Sequence, residues 1–214
     1  MSMIGHLRRI SAAKYVQLKA DPSGMAEAIG HDSRTMMKGA YNLAALTKDM
    51  PKEVMAQKLA AMPPQVRSMF EHMLAPAPAQ VPPKVDIEGL GPEVVLEKMW
   101  HALHFLIART PEETGPGAGR WILGGEPVGE PGGYGPARLL SPADVASIAR
   151  ELPNADTLRD SFDPRALAEA DLYPSVWDED PDELWEEISG YYKEARALYL
   201  DAANAGDAMV LWLD

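Results

Sequence analysis

Residues 94–108, reading VVLEKMWHALHFLIA, are the most apolar stretch of the chain, and their pattern predicts one helix from Val94 to Ala108. Only Glu97, Lys98, His101 and His104 interrupt it, and a helix apolar on nearly every side has to be walled in by other elements. Glu97, His101 and His104 stand at i, i+4 and i+7, so they share one face, and once buried that stripe needs hydrogen-bond partners. The rest of the chain is therefore expected to wrap a central helix that carries a polar seam.

The 214 residues fit one large domain or one domain with an insertion, and 46% hydrophobic content is enough for a core. Cysteine is absent, which removes disulfides, thiolate metal sites and a cysteine nucleophile, and suits a reducing cytoplasm, the expected location. The opening MSMIGHLRRIS has its basic residues after the apolar ones and no long apolar run behind them, so no signal peptide is expected, and no stretch reaches the length of a membrane span. The net charge of −12 is unevenly placed. Residues 1–140 carry 15 Lys and Arg against 14 Asp and Glu, whereas residues 141–214 carry 5 against 18. A field of this sign repels nucleic-acid phosphates and steers toward a basic protein or a cationic ligand. The plain alternative is that the charge only solvates the fold.

Along the chain, Met3 to Ile10 reads as a strand, and Ser11 as the N-cap of a helix AAKYVQLKA that ends near Asp21-Pro22. A short segment GMAEAIG closes on Gly30. Residues 31–83 are rich in Met and Ala and broken by prolines, which predicts three helices, Arg34–Lys48, Lys52–Met62 and Gln65–Leu74, then an extended Pro-Ala linker. This part is expected to be a helical insertion with an adaptable methionine surface, either core filling or a groove. Thr110 to Pro136 holds nine glycines and reads as a long loop in which only Trp121–Leu123 is a brief strand. Its glycines lack the strand, lysine and helix context of a phosphate loop or a dinucleotide fingerprint. Ala137–Leu140 reads as a strand, Ser141-Pro-Ala-Asp144 as a capping box for a helix to about Leu152, and Thr157–Phe162 and Pro164–Ala170 as two further helical pieces. In the last long helix Leu184, Ile188, Tyr191, Ala195, Leu198 and Ala202 form an apolar stripe, and Asn204-Ala-Gly206 ends it. Ala208–Leu213 is an apolar strand expected to be buried. Together these segments predict an α+β fold, with a small mixed sheet from both chain ends and the middle packed against several helices.

Several segments resemble the YfbM-like family, a bacterial domain of unknown function with an α+β fold. They are MSMIGHLRRIS, WHALHFL at 100–106, GGEPVGEPGGYGPARLLSPADV at 124–145, FDP at 162–164, YPSVW at 173–177 and the closing GDAMVLWL, all in the family's order. Residues 31–83 match no motif of the family. The resemblance implies a cytoplasmic α+β domain and carries over no catalytic residue.

If the glycine loop folds over the central helix, Trp100, His101, His104, Glu126, Tyr134 and Arg138 line one cleft of aromatic and ionisable groups. Two histidines one turn apart can bind a metal with Glu97 or Glu126, or serve as a base; the zinc-protease spacing is absent, and a buried histidine that only holds the loop is the simpler role. No serine sits in a nucleophile elbow, and no basic patch is interleaved with aromatics. Two functions follow. The first is a non-enzymatic acidic binding protein, of the immunity or inhibitor kind, that docks a basic toxin or enzyme through Asp178, Glu179, Asp180, Asp182 and Glu183. The second is a small-molecule-binding protein or hydrolase-like enzyme using the cleft. No cofactor, metal, nucleic-acid or membrane partner is expected. Elemental analysis of untagged protein is expected to find neither zinc nor nickel in stoichiometric amount.

Overall fold

A strand from near the start of the sequence pairs with one from near its end, Gly5 opposite Leu213 through to Ile10 opposite Ala208. The computed structural model describes residues 3–30, 88–112, 114–115, 117–132 and 134–214. Its elements follow in the order β1 (Gly5–Ile10), α1 (Ala12–Ala20), a 3-10 turn at Pro22–Gly24, α2 (Met25–Ala28), β2 (Leu90–Glu97), α3 (Trp100–Ala108), a second 3-10 turn at Gly117–Arg120, β3 (Glu126–Gly132), β4 (Gly135–Leu140), α4 (Pro142–Glu151), α5 (Ala155–Arg159), α6 (Pro164–Glu169), α7 (Pro181–Ala205) and β5 (Ala208–Leu213). The five strands make one sheet in the order β2-β1-β5-β4-β3, and the fold is α+β. Each of the four pairings is antiparallel, so the sheet is not the mixed one that the sequence suggested. The helical insertion expected over residues 31–83 lies outside the described residues. No described helix is long and apolar enough to cross a membrane.

The sheet carries helices on both faces, and β5 shows why. Its side chains alternate between two clusters: Met209 and Leu211 join the larger core, and Ala208, Val210 and Trp212 the smaller one. A strand covered on both faces needs apolar residues at every position, which accounts for the unbroken AMVLWL run. The larger core packs α3, α4 and α7 over Leu7, Leu96 and Leu140, and the smaller one packs Leu18 of α1 and Met25 and Ala28 of α2 over Ile10 and Leu139.

The predicted starts and stops hold at several elements. The Ser11 hydroxyl accepts from the Lys14 amide at 3.1 Å. Ser141 and Asp144 form both halves of a capping box, and Arg120 ties that box to the preceding 3-10 turn at 2.7 Å from Asp144. Gly206 ends α7 in the left-handed conformation, φ 71°.

Three expectations change. Val94 to Glu97 is the end of β2 rather than the start of the central helix: Val94 and Val95 pair with Leu7 and His6, and Glu97 turns the chain with φ 47° before α3 begins at Trp100. Two β-branched residues beside a strand lacking an outer partner favour pairing over one more helical turn. Trp121–Leu123 is a turn, and the strand in the glycine loop is instead β3, with Pro127 and Pro131 inside it. Proline is tolerated there because β3 is a sheet edge, and β2, the other edge, carries Pro92. On α7 it is Tyr192, not Tyr191, that is fully buried, with its hydroxyl donating to the Pro153 carbonyl at 2.6 Å. Burial pushes that hydroxyl up to about 12, so it remains a donor.

Gly5 sets how closely β1 approaches α3. A Cβ there would lie 2.5 Å from the Trp100 Cβ and 2.9 Å from its Cγ. Gly5→Ala is expected to cost about 1–3 kcal/mol through this overlap, read as a lower urea midpoint with an unchanged slope.

Candidate functional site

On α3, Trp100 and His104 are buried, and His101 is half-buried with its ring stacked on Trp100 at 4.7 Å between centroids. The His101 Nε2 faces the Pro111 carbonyl oxygen at 2.9 Å, and its Nδ1 faces the Tyr173 amide at 3.2 Å. The amide can only donate and the carbonyl only accept, so the ring is neutral with its proton on Nε2. Burial holds its pKa below the usual 6.5, while the Pro111 carbonyl and Glu112 pull the other way. His101 thus fastens the start of the glycine-rich segment and the Tyr173 turn to α3. Glu97, expected on the same helical face, sits at the end of β2 instead.

The glycine-rich segment divides. Its first part packs against the end of α3, where a Cβ on Gly119 would make ordinary contact with Ala108 at 3.6 Å from its Cα, and Trp121 and Ile122 join the larger core. Its second part is β3, which carries Glu126 to the opposite side, where it pairs with Lys19 of α1 at 2.6 Å. Tyr134 and Arg138 meet in a pocket of about 120 Å³ lined also by Ile122, Leu211 and Leu213, and by none of Trp100, His101, His104 or Glu126. The six residues grouped from the sequence are therefore distributed over three places. Among the described residues, no three His, Asp or Glu side chains are placed to hold a metal ion.

A second constellation was not visible in the sequence. His6 places Nδ1 2.9 Å from Glu93 and Nε2 3.0 Å from Asp214, and its ring stacks on Trp212 at 4.7 Å. Arg8 donates to Glu93 and, at 2.9 Å, to the Ala28 carbonyl, with its guanidinium 5.8 Å from the centre of the Trp212 ring. The network ties β2, β1 and the end of β5 together. Its one sequence cue is the alternation that puts His6 and Arg8 on one face of β1; the partners come only from strand register.

The acidic residues singled out at the head of α7, Asp178, Glu179, Asp180, Asp182 and Glu183, are all exposed. Asp180 caps the helix, accepting from the amides of Asp182 and Glu183 at 2.9 and 3.2 Å. Among the described residues, Arg159 is the one cation paired with this group, at 2.7 Å from Asp182.

The family profile described as "Domain of unknown function (DUF1877)" matches residues 1–212. The chain belongs to the DUF1877 family. The solved structure of YfbM from Escherichia coli, described as a protein of unknown function, is similar in fold at a TM-score of 0.55 and 16% identity, covering 99% of each chain. No curated protein matches. In this DUF1877 domain the YfbM-like motifs occupy structural positions. In YPSVW, the Tyr173 amide donates to His101 and its hydroxyl accepts from the Met3 amide at 3.2 Å, and Trp177 donates to the Leu172 carbonyl at 2.9 Å. Asp163 of FDP caps α6 by accepting from the Arg165 amide at 3.0 Å. In the closing GDAMVLWL, Asp207 pairs with Arg9 at 2.6 Å.

Protonation of Nδ1 would remove the acceptor for the Tyr173 amide. Because the folded pKa of His101 lies below its unfolded value, the unfolded chain takes up more protons as pH falls through about 6.5. The contribution of the neutral ring is complete above that pH and declines below it. His101→Gln is expected to cost about 1–3 kcal/mol at pH 7.5, for two backbone groups left short of a partner, and to reduce the loss of stability between pH 7.5 and 5.5. Urea unfolding of both proteins at the two pH values checks this.

Proposed function

We propose that this protein is a non-enzymatic binding protein that docks a basic protein partner, of the kind neutralised by an inhibitor or immunity protein, through the acidic ridge of α7. The observation that supports this most is the exposure of the ridge on a firmly seated helix. Leu184, Ile188, Tyr192 and Ala195 are buried on the inner side, while Asp182, Glu183, Glu186, Glu187, Glu194 and Asp201 are exposed. At 1.5 Å per residue the ridge from Asp182 to Asp201 extends over roughly 29 Å of the 25-residue helix. Between residues 178 and 201 there are nine carboxylates and two cations, Lys193 and Arg196. Arg196 faces inward, donating to the Leu152 carbonyl at 3.4 Å. A fixed array of one sign raises the encounter rate with a basic surface and costs little reorganisation on binding.

Of the cleft residues in the small-molecule reading, Tyr134 and Arg138 still share a pocket, and its volume of about 120 Å³, below the few hundred Å³ that enclose a whole metabolite, suits a head group only.

The ridge predicts a rate that depends on charge and salt. Replacing Asp178, Glu179, Asp180, Asp182 and Glu183 with lysine is expected to slow association with a basic partner by at least tenfold, and the wild-type rate should fall as salt shortens the screening length. An Asn and Gln set at the same positions separates lost charge from harm to the helix start, where lysine opposes the dipole. Surface plasmon resonance with a partner captured from the native host provides the measurement. An unchanged rate and salt slope in the neutral set would leave the ridge as a solvated surface.

A further inference from the structure

We propose that the pocket between β4 and β5 is a binding site for the carboxylate group of a small organic acid, with Arg138 as its cationic anchor and Tyr134 as a second donor. This site is separate from the acidic ridge and does not depend on it. The pocket exists because the two strands part. β4 pairs with β5 only from Arg138 to Leu140, opposite Leu211 to Met209, whereas Gly135 and Ala137 pair with β3 alone. Continued in the same register, Pro136 would face Leu213, and it has no amide hydrogen to give a ladder. The strands separate there and leave the concavity, with Ile122 and Leu211 as apolar walls.

Arg138 is the anomaly that gives the pocket a chemistry. It is half-buried, and among the described residues its side chain has neither a hydrogen bond nor an ion pair. The other half-buried arginines of the described residues are all engaged: Arg8 with Glu93, Arg9 with Asp207, Arg120 with Asp144, Arg159 with Asp182 and Arg196 with the Leu152 carbonyl. A guanidinium that is partly withdrawn from water and meets no carboxylate among the described residues has its N–H groups free for an anion from outside. The Tyr134 hydroxyl, on the same pocket wall, is likewise without a hydrogen bond among the described residues. By contrast, the shallower groove of about 320 Å³ beside β2 has Arg9 as its cation, and Asp207 already neutralises it.

Size and charge select the ligand. A volume of about 120 Å³ gives room for a planar head group, with the remainder of the acid reaching out past Tyr134. A single guanidinium matches one negative charge, and its two parallel N–H groups match the two oxygens of a carboxylate. A phosphate dianion would call for a second cation, and none lines the pocket.

The test is a ¹H–¹⁵N titration of the full chain with sodium acetate, against sodium chloride at matched ionic strength and pH. Saturable shifts are expected at the Arg138 Nε–H and at the Leu211–Leu213 amides with acetate and not with chloride. Arg138→Lys, which keeps the charge and loses the fork, should weaken binding about tenfold, Arg138→Met should abolish it, and Tyr134→Phe should weaken it severalfold. Spectra elsewhere unchanged from wild type establish that each variant is folded, and Arg138→Lys and Tyr134→Phe carry the test if Arg138→Met is not. Non-saturable shifts, or an acetate response unaltered in folded Arg138→Lys and Tyr134→Phe, would overturn the site. Inorganic phosphate saturating the same amides more tightly than acetate would overturn the carboxylate assignment.

Discussion

The double burial of β5 is the constraint on which the other described elements depend. Ala208–Leu213 is hydrogen-bonded on both sides, to β1 and to β4, and covered on both faces, so all but its last residue are fully buried. Fully burying one large apolar side chain stabilises by about 1.5–3 kcal/mol, and this strand contributes several of them to two cores at once. The surrounding layout answers to that demand. The large helices cover the face carrying Met209 and Leu211, while α1 and α2, short and near the start of the sequence, cover Ala208 and Val210. Both neighbours of β5 are antiparallel to it, β1 from near the start of the sequence and β4 from before the four helices α4 to α7.

The sheet's polar ties and edges follow from the same arrangement. On the second face, Trp212 is stacked on the His6 ring with the Arg8 guanidinium nearby, and Glu93 and Asp214 complete that network. At both edges proline takes the place of a ladder donor, which guards β2 and β3 against pairing with another chain. Pro136, inside β4, has the opposite effect: it opens the sheet internally and makes a pocket where a continuous ladder would have left none.

Interior and surface therefore divide the chemistry. The histidine seam of α3 is spent on architecture, since both nitrogens of His101 are engaged by backbone groups and His104 is fully buried. Among the described residues, the groups open to a ligand outside the cores include the exposed carboxylates of α7 and the guanidinium of Arg138, which has no partner there. These two features have opposite charge and separate positions, so a binding role for one leaves the other free.

Local chemistry made a good part of this legible. Caps at Ser11 and Ser141, the left-handed Gly206, the period of α7 and the apolar run of β5 are written in short stretches, because capping, amphipathicity and full burial each impose a local pattern. The α+β class and the exposure of the residues at the head of α7 followed from those patterns. Register and competition were not local. Val94 and Val95 belong to β2 because β1 needed an outer partner, and Glu126 left the supposed cleft because β3 paired with β4 and carried it toward Lys19. Tyr134 and Arg138 were named together from the sequence, but the pocket they share arises from the parting of β4 and β5 at Pro136. The sequence by itself determined which segments could be helices and strands and where the charge lies. Tertiary structure alone decided which strands are neighbours, and thereby which side chains meet, because a hydrogen-bonded register relates residues far apart in the chain and no single segment encodes both sides of it.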